Sequence, residues 1–194
     1  MKKPVCFMVG TVSLLALLAF ACKRQESGAT DTYSSSTSAS AGTMSMTTAA
    51  STLSASDKDF AMKAAEGGMA EVTFGQMASQ KSTNPDVKNF ANRMVNDHGK
   101  AGDELKQLTT NKGLALPNDL NAEDKKVADE LSGRSGKDFE KAYIKYMVED
   151  HEKDIKEFEK ASKEVQDPDL KSWATKTLPV IQDHLKMAKQ IAAK

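Results

Sequence analysis

From residue 57 to the C-terminus, apolar side chains recur at steps of three and four, and no stretch alternates with the period of two that a half-buried strand shows. The pattern predicts four long amphipathic helices. The first begins near Ser56, where Ser56 and Asp59 form a capping-box-like pair, and ends near Lys81; its inward stripe is Phe60, Ala64, Gly67, Glu71, Phe74 and Ala78. "STNPD", with Pro85 suited to a first turn, opens the second helix, which stops at "NKG" from Asn111 to Gly113. Its stripe is Val87, Ala91, Met94, His98, Ala101, Leu105 and Leu108. The third runs from about Lys137 to Val165 with Ile144, Met147, His151, Ile155, Phe158 and Ser162 in line, widened by Phe139, Tyr143 and Tyr146. "DPD" at Asp167 to Asp169 is a tight stop and restart. The fourth helix carries Leu170, Trp173 or Ala174, Thr177, Ile181, His184, Ala188 and Ile191, with a kink expected at Pro179.

Between Leu114 and Gly136 lies a connection with one short amphipathic helix, roughly Ala122 to Leu131, in contact through Val127 and Leu131. It is long enough to cross a bundle from end to end. Narrow stripes of this kind are the seams of helices packed at small crossing angles. The expected fold is therefore all-α, a four-helix bundle with a long central connection.

Each stripe is interrupted by one strongly polar residue: Glu71, His98, His151 and His184. They fall about thirteen to sixteen residues into their helices, so at ~1.5 Å per residue they lie within about one turn of a common height. These are all three histidines of the chain, each preceded by aspartate. Three imidazoles and a carboxylate left unpaired in one core layer are costly, and a bound ion satisfies all four. The donor set suits zinc, iron or copper; a buried Glu/His hydrogen-bond network is the alternative. Asp97, Asp150 and Asp183 stand about 100° around the helix from their histidines, at the edge of the seam. There each either accepts the second ring proton of a histidine on a neighbouring helix or belongs to a solvated face. Met94 and Met147 precede their histidines by four residues and Met187 follows His184 by three. If the connection crosses the bundle, all three thioethers fall on one side of the histidine layer, as a soft-metal layer or as packing.

The N-terminus changes the picture of where this bundle works. Lys2 and Lys3, the apolar run from Val5 to Phe20 and the small residues Ala19 and Ala21 form an export signal over residues 1–21. "LAFAC" resembles the lipobox of bacterial lipoproteins, and with Cys6 removed Cys22 is the lone thiol of the mature chain. Lipid attachment at Cys22 is expected, with simple signal cleavage as the alternative. Residues 22–56, rich in Ser, Thr and Ala, bury too little to order themselves and read as a flexible tether. The bundle domain is then 57–194, held at the periplasmic face of the cell envelope by an anchor in the membrane, the outer one foremost. Loss of Lys2 and Lys3 from 27 basic and 27 acidic residues leaves 25 against 27. No basic face is implied, and nucleic acid is not an expected partner. The domain has no cysteine nucleophile, no phosphate-binding glycine loop and no serine set beside a histidine, so an enzyme is not favoured and any chemistry would work through the metal.

The stretches "AAEGGMAEVTFGQMAS", "VKNFANRMVNDH", "FEKAYIKYMVEDH" and "LPVIQDHLKMA" resemble the bacterial ferritin-like family of exported proteins catalogued as domain of unknown function 4142 and labelled outer membrane protein. The likeness spans Phe60 to Ile191. It implies a ferritin-like four-helix bundle with a long central connection, and it leaves the activity open. The chain departs from di-iron members of the wider group, which carry Glu-x-x-His on two helices. Here Val95 and Val148 stand three before His98 and His151, Gly68 stands three before Glu71, and no set of four carboxylates is evident. The expected function is a transition-metal-binding envelope lipoprotein in metal handling or stress protection; the alternative is a non-catalytic interaction or structural module.

Overall fold

The structure, a computed structural model, describes residues 51–194. The expected signal segment, Cys22 and the tether up to residue 50 lie outside the described residues. Five helices follow in order: α1 (Ala55–Lys81), α2 (Pro85–Asn111), α3 (Ala122–Ser132), α4 (Gly136–Glu164) and α5 (Pro168–Ala192). The described chain is all-α, and none of these helices is long and apolar enough to cross a membrane.

The ends are fixed by local chemistry. Asn84, Asn121 and Asp167 cap α2, α3 and α5 through side-chain oxygens that accept first-turn backbone N–H groups. Pro85 and Pro168 occupy first-turn positions, where a missing N–H costs nothing. The start of α1 differs from expectation. Ser54, not Ser56, is the cap, and its Oγ accepts from Asp57 N at 3.1 Å. The Asp57 carboxylate is buried and reaches the α4–α5 turn, accepting from Gln166 N at 3.1 Å and Asp167 N at 3.0 Å. Packing also begins earlier than residue 57. Leu53 is buried, and Thr52 N donates to Lys112 O at 3.1 Å. Helix α5 runs on through Pro179, which is exposed, so the lost backbone bond faces water.

Two apolar clusters fill the bundle. One gathers Phe74, Phe90, Met94, Phe139, Tyr143 and Met147; the other Ala61, Leu105, Phe158, Trp173 and Ile181. Along α2 and α4 the chain passes from the first cluster to the second, and along α1 and α5 from the second to the first. Thus α2 and α4 run parallel, and α1 and α5 run opposite to them. The crossover containing α3 packs on α1 and α4, and it makes this arrangement possible.

The seams drift from the expected stripes. After His151, the buried positions of α4 are Phe158 and Ala161, followed by Val165 at its C-cap, with Ser162 and Ile155 only partly covered. That rotation turns Asp154 inward. In α1 the innermost positions are Ala61, Ala70, Glu71, Phe74, Gly75 and Ala78. At Gly75 the helices α1 and α2 approach so closely that an added Cβ would lie 3.0 Å from Val95 Cγ2 and 3.1 Å from Ala91 O.

Candidate metal centre

Between the two apolar clusters lies a polar layer, with one residue from each long helix: Glu71, His98, His151 and His184. His151 and His184 are wholly buried, and Glu71 and His98 nearly so. The ring centroids are 5.0 Å apart for His98 and His184, and 5.6 Å for each with His151. One nitrogen from each ring lies within 4.8 Å of the others.

A hydrogen-bonded chain runs outward from this layer. His98 Nδ1 is 2.7 Å from Glu71 Oε2, and His98 Nε2 is 3.1 Å from His184 Nδ1. His184 Nε2 is 2.9 Å from Asp97 Oδ2, which also accepts from Arg93 Nε at 3.1 Å. Burial raises the Asp97 pKa, but hydrogen bonds from His184 and Arg93 outweigh it and hold the carboxyl below its ordinary value. Asp97 is therefore ionised at neutral pH, and His184 Nε2 must carry the proton it donates. His184 Nδ1 is then an acceptor for His98 Nε2–H, and His98 Nδ1 is an acceptor for a Glu71 proton.

Electrostatics agree with that protonation. Burial, reinforced by nearby carboxylates, pushes Glu71 well above the usual carboxylate range. Burial pushes His98 down to about 4, His151 to about 3 and His184 to about 4. All three imidazoles are neutral at pH 7, the form that ligates metals.

His151 stands outside the chain. Its Nδ1 is 3.3 Å from Glu71 Oε1 and the ring also nears the Met147 carbonyl one turn back, yet neither ring nitrogen makes a well-formed hydrogen bond, and Glu71 Oε1 makes none. Buried polar atoms are paired in the great majority of cases, so orphaned atoms call for an explanation. A cation ligated by one nitrogen of each ring would satisfy one of the two His151 nitrogens, and three neutral imidazoles with a carboxylate are a fitting donor set for a transition ion.

The flanking aspartates divide. Asp97 contacts a histidine of a neighbouring helix, His184. Asp183 does not serve any histidine: it is exposed and pairs with Arg93 Nη2 at 3.4 Å, because its place on α5 turns it to the bundle surface. Asp150 makes no hydrogen bond to a ring either. Its place on α4 sets it beside Glu71 and Asp154, the three carboxylates offering oxygens within 4.8 Å of one another. Asp150 is pushed up to about 6 by burial, and Asp154 well above its usual range by burial and by Glu71. The structure thus groups three carboxylates, fewer than the four of a di-iron centre, in a cluster not anticipated from the sequence. Asp154 lay off the expected stripe, which steps from His151 to Ile155 and Phe158, and it comes inward with the drift of the α4 seam.

Met94 and Met147 are buried in the first apolar cluster and Met187 packs against it, all on one side of the histidines. The Met187 sulfur accepts from Arg93 Nη1 at 3.1 Å. A cavity of about 560 Å³ between α1, α2 and the 115–118 loop reaches Glu71, His98 and Asp154. Gly67, Gly68, Gly99 and Gly102 line it, and an added Cβ at each would meet nothing within 4 Å. Trp173 also lines it, its Nε1 donating to Ala101 O at 3.2 Å.

Comparison with known proteins adds a family and a fold. The family model described as "Domain of unknown function (DUF4142)" matches residues 42–191. No curated protein sequence matches the chain. Among solved structures, CopM in its Cu(II)-bound form is 16% identical with a TM-score of 0.61, covering 71% of this chain and 95% of that one. CopM in an Ag-bound form is 17% identical with a TM-score of 0.58, covering 69% and 93%. A DUF305 fragment from Deinococcus radiodurans is 9% identical with a TM-score of 0.65, covering 73% and 97%. At these identities the likeness is one of fold.

Proposed function

The chain belongs to the DUF4142 family, whose description assigns no activity, and from that premise we propose that it is an envelope-anchored bundle that binds one transition-metal ion, copper foremost, through His98, His151, His184 and Glu71. The observation that carries this reading is His151, buried in the bundle centre with two unsatisfied nitrogens and two further imidazoles beside it. When bound, the ion would be a Lewis acid held by three nitrogens and an oxygen, a charge the layer lacks at neutral pH. For His98 Nε2 to ligate, the proton it donates to His184 would leave to solvent and the Glu71 proton would pass to His98 Nδ1, so that one proton is released and Glu71 becomes a carboxylate. Asp97, itself held by Arg93, would fix the orientation of His184 through its Nε2–H.

Copper is favoured over zinc or iron by the thioethers of Met94, Met147 and Met187 near the layer, and by the solved relatives in fold, described with copper or silver bound. The export signal and Cys22 support a role at the periplasmic face of the envelope. Metal handling or protection against metal stress is the function that fits a buried site with no nucleophile beside it.

The test is the metal content of the full mature chain after loading with copper, zinc or iron and exhaustive buffer exchange. About one equivalent is expected, falling below about a tenth in His98→Ala/His151→Ala. No retained metal in the unaltered chain would end the reading.

One observation favours a second reading. The chain from Glu71 through His98 and His184 to Asp97 satisfies most of the layer without an ion, as a buried network of an interaction or structural module would. Such a module keeps its stability and shape when every metal is stripped by chelator.

A further inference from the structure

Next to the histidine layer, Glu71, Asp150 and Asp154 each place a carboxylate oxygen within 4.8 Å of the others. Acidic clusters on helices are commonplace and mark nothing alone. Here the central member is Glu71, whose side chain is 2% exposed. Its Oε2 is taken by His98, and the oxygen left over, Oε1, is buried with no hydrogen-bond partner. Asp150 and Asp154 form no hydrogen bond or ion pair with any described residue, although both are partly covered. Asp124 of α3 is also buried, and its carboxylate accepts from Tyr146 Oη at 3.4 Å.

The place is also reachable. Glu71 and Asp154 line the cavity of about 560 Å³, whose glycine positions leave open space between α1 and α2. Glycine inside a helix costs roughly 0.5–1 kcal/mol against alanine. Four of them along one cavity keep room that alanine methyls would fill. A cavity that ends on carboxylates with free oxygens supplies both ligands and space for water around a hard ion.

We propose that Glu71, Asp150 and Asp154 form a second cation site, for a hard divalent ion of the manganese or magnesium class, with Glu71 shared between it and the histidine site. The three ligands are all oxygens, which hard ions take and soft ions avoid, whereas the histidine layer offers nitrogens. The two sites therefore sort ions by chemistry on either side of one carboxylate. Only the sharing of Glu71 rests on the histidine site binding metal; the carboxylate site stands without it.

Manganese(II) alone is the probe, titrated into the full mature chain with and without prior zinc loading, free manganese being read by electron paramagnetic resonance. The unaltered chain should hold one manganese per chain in both conditions. Asp150→Asn/Asp154→Asn, and Asp154→Asn alone, should weaken manganese by more than about tenfold while keeping their zinc. His98→Ala/His151→Ala should lose zinc and keep manganese. Manganese binding unchanged in the aspartate variants, or absent from the unaltered chain, would overturn the proposal. A chain that holds manganese but retains no copper, zinc or iron would sink the histidine reading and leave this one standing.

Discussion

His151 sits in the bundle centre with both ring nitrogens unsatisfied, and an unpaired buried polar group costs on the order of 1–3 kcal/mol. Leucine has similar volume and nothing to satisfy. His151→Leu should thus stabilise the metal-free protein by roughly that amount while removing its metal. Urea unfolding with and without chelator checks both halves, and a destabilised metal-free variant would count against an orphaned His151. His98 behaves oppositely, because it bridges Glu71 and His184. His98→Leu strands two buried partners and should cost about 2–5 kcal/mol. At this scale the four polar seam residues could be read from sequence, since each breaks an apolar stripe. Asp154 and Arg93 could not be reached the same way. Asp154 entered the interior only through the drift of the α4 seam, and Arg93 matters through partners on another helix, Asp183 and Met187.

Helix α1 carries two kinds of glycine. At Gly68 an added Cβ meets nothing, whereas at Gly75 it would lie 3.0 Å from Val95 Cγ2 and 3.1 Å from a backbone oxygen of α2. Gly68→Ala should raise stability by about 0.5–1 kcal/mol through helix propensity. Gly75→Ala should lower it, because α2 has to move; thermal denaturation of the two variants gives opposite signs if the α1–α2 contact is as described. The start of α1 offers a second check. Asp57 accepts two backbone N–H groups of the α4–α5 turn, so Asp57→Ala should cost about 1–3 kcal/mol. Helix positions were legible because stripes, prolines and stop signals agreed. The cap at Ser54 was not, since two serines flank the same turn and only the tertiary use of Asp57 decides between them.

The whole molecule should respond to pH through two opposed sets of groups. The three histidines have folded pKa values of about 3 to 4, so the unfolded chain binds protons first as pH falls below about 6.5, and the stability they contribute above that pH is lost. Glu71, Asp150 and Asp154 are raised by burial. Their contribution is present at low pH and is lost as pH rises from about 4 through their folded values. Between about pH 4.5 and 6 the two sets nearly cancel. Above about 6.5 the unfolded histidines release their protons and the compensation they supply fades, so the loss due to the carboxyls raised by burial is no longer offset. Metal-free stability should therefore be nearly level from 4.5 to 6 and decline toward pH 8, seen in the urea midpoint. Loading of the histidine site should lessen that decline, because ligation expels the Glu71 proton. The parallel course of α2 and α4 was legible from the length of the 114–136 connection. The balance of carboxyls against imidazoles was not, because it depends on burial that no stripe encodes.

The central claim is an ion on the three histidines. Anomalous scattering from crystals soaked in copper tests it most directly. One peak is predicted at about 2.0–2.1 Å from ring nitrogens of His98, His151 and His184. A peak among Met94, Met147 and Met187 instead, or no peak with His151 still unpaired, would contradict it.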